Sequence, residues 1–150
     1  MTSTRKIKFW LSEVDHFIGC FKASKLPNFP SSFPKSLIIN IDETKKVGHF
    51  VVVLLQKNYV IYFDSLGIRT LPLNVKNYLK RFYDCIYFNF YPVQDYQSLK
   101  CAYFCTLFII HVKNLKDFQK YLNIFHKNKL LKNDNLIDFI FKMFNFYSIK

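Results

Sequence analysis

A cysteine suited to nucleophilic chemistry stands at the start of an apolar run. The run covers residues 101–112 and holds no Gly, Pro, Asp, Glu, Lys or Arg, which predicts one buried helix with Cys101 in its first turn. Unpaired backbone N–H groups and the positive end of the helix dipole favour thiolate over thiol there. Buried cysteines are usually inert core residues, so this interpretation depends on the partners of Cys101.

A histidine and an aspartate form the second candidate pair. The runs HFVVVLL and YVIYFD, joined by the polar QKN, predict a β-hairpin. A turn centred on Gln56 and Lys57 would place His49 opposite Asp64, with Cβ atoms about 5 Å apart. The imidazole could then take the thiol proton or hold the thiolate as an ion pair, while the carboxylate fixes the ring's tautomer. The alternative is a structural His–Asp pair at the end of a sheet.

A glutamine completes the candidate constellation. Gln94 precedes Cys101 by seven residues, just before a turn that can bring its side-chain amide beside the Cys101 backbone N–H. Each N–H donor aimed at a developing oxyanion contributes about 10²–10³ in rate. Gln97, four residues before Cys101, competes for the same role. Nucleophile, base, orienting acid and oxyanion donors together indicate attack on a carbonyl carbon.

The remaining metal-ligating and nucleophilic residues have simpler interpretations. His16 and Cys20 have the spacing of half a metal site, but no second half is evident, so neither a metal nor a small-molecule cofactor is expected. Cys105 is expected to pack in the core one turn after Cys101. His111 lies at the far end of the predicted helix, about 15 Å from Cys101 by helical rise, too far to act as its base.

Composition bounds the class of protein. The 150 residues are 51% hydrophobic and 19% aromatic, which predicts a single globular domain over 1–150 and excludes general disorder. The four cysteines are too irregularly spaced for a disulfide scaffold, so a reducing compartment is expected. Apolar runs are too short for a membrane span, and charged residues interrupt the first twenty residues, so neither a membrane partner nor secretion is expected.

A formal net charge of +12 predicts attraction to polyanions such as nucleic acid. Part of this charge is expected on a helix that Asn114 caps and that runs to about residue 127. At 100° per residue, four lysines would form a basic stripe on that helix. A solvated face is the common meaning of such a stripe, and a polyanion contact is the alternative. The four are Lys113, Lys116, Lys120 and Lys127.

Pattern reading along the chain predicts the α+β class, with a mainly antiparallel sheet of about five strands and the Cys101 helix packed on it. Ser12 is expected to cap a helix that ends near Gly19, and a proline-rich loop should follow over residues 25–34. Strands are expected at 37–41 and 85–93, a surface helix at 71–82, and a last helix capped by Asn133 or Asp134.

The motifs also resemble a known family. The order VGHF, YFDSLG and Q-x6-C-A-Y-F-C is similar to that of adenovirus-type (adenain-like) cysteine proteases, whose clan includes the SUMO/ubiquitin-like proteases. The resemblance covers about residues 17–112, with FIGCF, LPNF and LIINIDETKK upstream of the His motif. Its elements are His49 before an aromatic, Asp64 before a turn that ends in Gly67, Gln94, Cys101 and Cys105.

The resemblance implies a papain-related fold and a thiol endopeptidase with His49, Asp64, Gln94 and Cys101 as catalytic residues. It favours Gln94 over Gln97, and it implies cleavage of viral capsid or core precursors after small residues, often Gly, during virion maturation. The expected source is a virus, virophage or Polinton-like element, and the expected location is the virion and the infected cell's cytoplasm, nucleus or viral factory. The protein is expected to be a monomer that binds DNA non-specifically. An activating peptide bonded near Cys85 would be a further partner.

Substrate contacts are expected at Gly48, Phe50 and Ala102, which flank the motif residues. Three positions depart from the family pattern: Phe50 replaces Trp, Ala102 replaces Gly, and Asp64 stands where adenoviral enzymes have Glu. None of these removes a catalytic group, although Ala102 would hinder a positive φ. Two alternatives stay open: a basic nucleic-acid-binding virion protein with vestigial protease residues, and a protease that removes ubiquitin-like modifiers.

Overall fold

The computed structural model describes residues 4–44 and 48–148, without the side chains of 144–148. Its five described strands form one sheet in the order β1-β2-β3-β4-β5. The strands are β1 (Phe17–Lys22), β2 (Lys35–Asn40), β3 (Phe50–Leu55), β4 (Val60–Phe63) and β5 (Ile86–Phe88). Helices are α1 (Thr4–Trp10), α2 (Leu73–Lys80), α3 (Cys101–His111), α4 (Leu115–Asn123) and α5 (Leu130–Ser148). The predicted α+β class is confirmed.

The sheet is mixed, so the prediction of a mainly antiparallel sheet is wrong at both edges. The inner pairs, β2 with β3 and β3 with β4, are antiparallel. The outer pairs, β1 with β2 and β4 with β5, are parallel. Two causes explain the error: β1 was expected to be a helix, and β5 is reached from β4 through the crossover helix α2, which makes a parallel pair.

The sheet is covered on both faces, which explains why β3 and β4 are buried almost throughout. One face, including Val52 and Phe63, packs against α3 and residues of α1, α4 and α5. The other, including Val53 and Tyr62, packs against α2 and the loop around Phe29. Helix α3 is apolar on all sides because it lies between the sheet and the other helices.

The predicted hairpin is present, but its register differs from the expected one by two residues. Val52 pairs with Phe63, and the Gln56 N–H donates to the Tyr59 carbonyl at 2.9 Å, so the turn lies at Lys57 and Asn58. A shift of one residue would have turned His49 and Asp64 to opposite faces, whereas a shift of two keeps the face. The predicted pairing of the two side chains is therefore preserved as a diagonal contact.

The N-terminal prediction is wrong. Ser12 does not cap a following helix: its hydroxyl donates to the Phe9 carbonyl at 2.9 Å, at the end of α1. The stretch expected to be helical forms β1 instead, and Gly19 has a φ of 140° where the register with β2 shifts. A glycine in that conformation is typical of a β-bulge.

The C-terminal predictions are partly right. The Asn114 side chain caps α4 by accepting from the Asp117 N–H at 2.9 Å, as expected, but α4 ends at Asn123 rather than near residue 127. Asn133 and Asp134 do not cap α5, since that helix begins at Leu130 and contains both. The loop at 25–34 and helix α2 are confirmed, and β5 is shorter than the expected strand at 85–93.

No described helix is long and apolar enough to cross a membrane.

Candidate active site

Cys101 is the first residue of α3, as the sequence predicts. The α3 N-terminus meets the end of the sheet where β3 begins, so the Phe50 N–H points at the Cys101 sulfur from 3.5 Å. No acidic residue occupies the first turn of α3. The dipole and the backbone donors there therefore stabilise negative charge on the sulfur without opposition from a neighbouring carboxylate on that turn.

His49 and Asp64 lie at the same end of the hairpin, one residue before β3 and one residue after β4. The ring Nε2 is 2.7 Å from Asp64 Oδ1, and the two side chains are 15% and 2% exposed. The Cys101 side chain lies close enough to the ring to raise the pKa of His49. Because Asp64 occupies Nε2, Nδ1 is the nitrogen left for the thiol. The structure thus places Cys101, His49 and Asp64 in one connected chain.

Burial would lower the pKa of His49, but the hydrogen bonds and charges of Asp64 and Cys101 outweigh it and raise the pKa to about 9. The ring is therefore protonated at neutral pH when the two anions are present. A thiolate–imidazolium pair is the reactive form of cysteine hydrolases, because the sulfur needs no proton transfer before it attacks.

Asp64 is held by more than its contact with His49. The Leu66 N–H donates to Oδ1 at 2.9 Å, and the Gly67 N–H donates to the Asp64 carbonyl at 2.9 Å. Gly67 has a φ of 65°, and a Cβ there would lie 2.4 Å from the Pro92 nitrogen. Only glycine fits this turn, which is the physical reason for the Gly that ends YFDSLG.

Gln94 is almost fully buried, with 1% of its surface exposed. Its Oε1 accepts from the Ser65 hydroxyl, and its Nε2 donates to the Ser98 carbonyl at 2.9 Å. Since Oε1 is fixed by a donor, the amide orientation is set, and Nε2 also donates to the Ser98 hydroxyl oxygen at the longer distance of 3.4 Å. Gln97 is exposed and does not line the cavity beside Cys101.

A cavity of about 360 Å³ opens in front of these groups. His49, Gln94 and Cys101 line it, whereas Asp64 lies behind the histidine. Its apolar wall is formed by Ile41, Leu66, Ile68, Tyr96 and Leu99. The cavity brings the imidazole, the thiol and the side-chain amide to one opening. Attack on a bound carbonyl would require such a convergence of groups.

The residues expected to contact substrate lie in three different environments. Gly48 lines the cavity, and a Cβ there would lie 2.4 Å from Asn40 Oδ1. Phe50 is half-buried and contacts the site through its backbone, with its carbonyl accepting from the Cys105 thiol at 3.3 Å. Ala102 is 2% exposed inside α3 and lines no part of the cavity. Its helical conformation needs no positive φ, so alanine is accommodated there.

Two supporting residues were missed in the sequence. Asn89 is buried and brackets Asp64, accepting from its N–H at 3.0 Å and donating to its carbonyl at 2.6 Å. Ser65 orients Gln94 by side-chain and backbone bonds. A signal for Asn89 exists, since it is a lone amide within the aromatic stretch CIYFNFYPV, and a buried polar side chain needs partners.

The other cysteines lie in different surroundings. Cys105 is fully buried, and its burial raises the pKa of its thiol. Burial also raises the pKa of Cys20, to about 11. Cys85 is exposed just before β5. Within the described residues no cluster of His, Cys, Asp and Glu could hold a metal ion, and His16 bonds to Ser36 rather than pairing with Cys20.

The basic stripe is not carried by one helix. Lys116 and Lys120 lie on α4 one turn apart, but Lys113 precedes the helix and Lys127 follows it. The Lys127 ammonium lies 4.8 Å above the centre of the Tyr91 ring. All four lysines are exposed. The expected 100° spacing therefore applies only to Lys116 and Lys120.

A comparison of the sequence with protein-family models finds no match, and a comparison with curated proteins finds none of significance.

Proposed function

We propose that the chain is a cysteine endopeptidase with an adenain-like architecture, in which Cys101 is the nucleophile and His49 the base. The single observation that carries the proposal is the Cys101–His49–Asp64 chain at the mouth of a cavity. A structural His–Asp pair would account for the 2.7 Å contact, but not for a helix-terminal cysteine beside the same ring in the same cavity.

The chemistry follows from the protonation states. The Cys101 thiolate attacks the peptide carbonyl carbon, a C–S bond forms, and the carbonyl π electrons move to the oxygen. As the tetrahedral intermediate collapses, the C–N bond breaks and the His49 imidazolium gives its proton to the leaving amine. Water then attacks the thioester carbon while His49 takes one of the water's protons. The second tetrahedral intermediate collapses and its C–S bond breaks, which releases the carboxylic acid and regenerates the thiolate–imidazolium pair.

Gln94 acts on the developing oxyanion. The Gln94 Nε2, which would exchange its longer bond to the Ser98 hydroxyl for one to the substrate, and the Cys101 backbone N–H are the two donors. The bonds from the Ser65 hydroxyl and to the Ser98 carbonyl fix the amide before substrate arrives. Preorganised donors cost no reorganisation at the moment of reaction. Asp64 keeps the His49 ring oriented and stabilises its positive charge.

The substrates are viral capsid or core precursors, cut after small residues during maturation. The motif order around His49, Asp64, Gln94 and Cys101 supports this class. The net charge of +12 supports a second property, retention on packaged nucleic acid. On that polyanion the enzyme would meet its substrates by diffusion along the strand.

The test is to incubate the purified protein with capsid precursors encoded beside its gene. The parent should produce defined fragments, and Cys101→Ala should produce none. Cys85→Ala, assayed like the parent without an activating peptide, is the matched control, because it removes an exposed thiol outside the cavity and should cleave like the parent. Equal cleavage by parent and Cys101→Ala would contradict the proposal.

A further inference from the structure

The last helix, α5, has no part in the motifs, yet its polar side chains contact the segment that carries the proposed oxyanion donor. That segment, residues 93–100, runs without regular secondary structure from Val93 to the N-cap of α3. Irregular backbone depends on side chains for its position, because it lacks the bonds that a helix or strand supplies.

Asn133 makes the central contact. It is 0% exposed, and its Nδ2 donates to the Val93 carbonyl at 2.9 Å and to the His126 carbonyl at 2.7 Å. Its Oδ1 accepts from the His126 N–H at 2.8 Å. Both the oxygen and the nitrogen of the Asn133 side-chain amide are therefore hydrogen-bonded. One of these bonds holds Val93, the residue directly before Gln94.

Two further α5 residues contact the same segment downstream. Asp138 pairs with Lys100, the N-cap residue of α3, at 2.5 Å. Asp134, one turn before Asp138, is 2% exposed, and its burial raises its pKa, while the neighbouring Asp95 N–H and Ser98 hydroxyl lower it. The Ser98 carbonyl in turn accepts a hydrogen bond from Gln94 Nε2. Helix α5 therefore holds the segment on both sides of Gln94.

Packing in the core fixes the position of α5 relative to the rest of the fold. Ile137 and Phe141 of α5 are buried in the core, so the helix cannot slide without losing apolar contacts. The polar contacts are consequently fixed to a rigid element, while Gln94 itself lies on a segment with no regular structure of its own. A displacement of about 1 Å at a reacting centre costs up to about 10²-fold in rate.

We infer that Asn133 is a positioning residue, which holds residues 93–100 so that the Gln94 amide points at the oxyanion. The inference rests on the proposed protease function and extends its machinery to the C-terminal third of the chain. Asn133 touches neither substrate nor sulfur in this account, and it acts through Val93 and Gln94.

The test is a double-mutant cycle on peptide cleavage with Asn133→Ala and Gln94→Ala. Asn133→Ala should lower kcat about tenfold with KM little changed, and it should add less than about twofold when Gln94 is already alanine. Asn114→Ala is the matched control: it removes an asparagine with a cap bond on α4, away from the segment, and should lower stability without changing kcat.

A purely structural role predicts the same loss of kcat with and without Gln94, and that additivity would overturn the inference while leaving the protease proposal intact. If Asn133→Ala does not fold, Asp138→Ala replaces it, because its side chain is 40% exposed, and it should show a smaller, equally non-additive loss. A parent that cleaves no better than Cys101→Ala would overturn the proposed function, and this inference with it.

Discussion

The two halves of the candidate site are held in different ways. His49 and Asp64 flank the ends of paired strands, so the hairpin's backbone ladder sets their distance. Gln94 lies on a segment without regular structure, and its position is set by bonds to the side chain and backbone of Ser65, to the Ser98 carbonyl and from α5. The His49–Asp64 half is therefore fixed by the pairing of two neighbouring strands. The Gln94 half is fixed by contacts between residues far apart in sequence.

The hairpin half should give the largest effect. His49→Ala should lower cleavage by at least about 10³-fold, because it removes the base and the counter-ion of the thiolate together. Asp64→Ala should keep measurable activity, since an imidazole near the sulfur can still form the ion pair. Peptide cleavage assays measure both, and full activity in His49→Ala would exclude the triad.

The loop half should give an intermediate effect. Gln94→Ala should lower kcat by about 10²-fold with little change in KM, as expected for a donor used mainly in the transition state. Gln97→Ala is the matched control, because this glutamine is exposed outside the cavity. If Gln97→Ala were the slower of the two, the oxyanion donor would have been assigned to the wrong side chain.

The raised pKa of His49, in the hairpin half, can be tested by the pH dependence of the unfolding free energy. The pKa of His49 is raised to about 9 in the folded chain, so its charged form stabilises the fold fully below the ordinary value near 6.5. That contribution is lost as pH rises through about 9. The difference in unfolding free energy between parent and His49→Ala should therefore shrink from pH 6 to pH 10 in urea titrations. A difference that grows with pH would contradict the raised pKa.

The smallest effect on catalysis is expected from the lysines outside both halves. Lys116→Gln with Lys120→Gln should reduce the slope of log K against log salt for DNA binding by about 2, at about 0.9 per phosphate contact. Cleavage of a short peptide should not change. Lys76→Gln with Lys80→Gln is the matched control, since it removes the same charge at the same spacing from α2, on the opposite face of the sheet. Equal slopes in the two variants would show that Lys116 and Lys120 belong to a solvated surface and do not contact DNA.

Sequence reasoning succeeded where a feature depends on local pattern. Two runs rich in β-branched and aromatic residues around a polar turn predict the hairpin, and an uncharged apolar run predicts α3 with Cys101 at its start. The turn was misplaced because QKN allows two centres, and only the even shift preserved the His49–Asp64 contact.

Sequence reasoning failed where contacts between residues far apart in sequence decide the structure. Ser12 has the residue type of an N-cap, yet the chain turns there into β1, which gains parallel pairing with β2. Asn133 also resembles a cap, and its bonds to Val93 and His126 are not encoded by any local periodicity. The support of Gln94 therefore could not be read from spacing, although Gln94 itself could be identified through the family motif.

Thiol reactivity most directly tests the claim that Cys101 is the nucleophile. Solvent exposure alone predicts that Cys85 reacts first, whereas the proposed ion pair with His49 predicts that Cys101 does. Cys85 is exposed, whereas Cys101 is only 6% exposed but lies beside His49. Iodoacetamide labelling mapped by mass spectrometry between pH 5 and 7 should modify Cys101 first, and His49→Ala should abolish that preference. Preferential labelling of Cys85, or equal labelling of all four cysteines, would contradict Cys101 as the nucleophile.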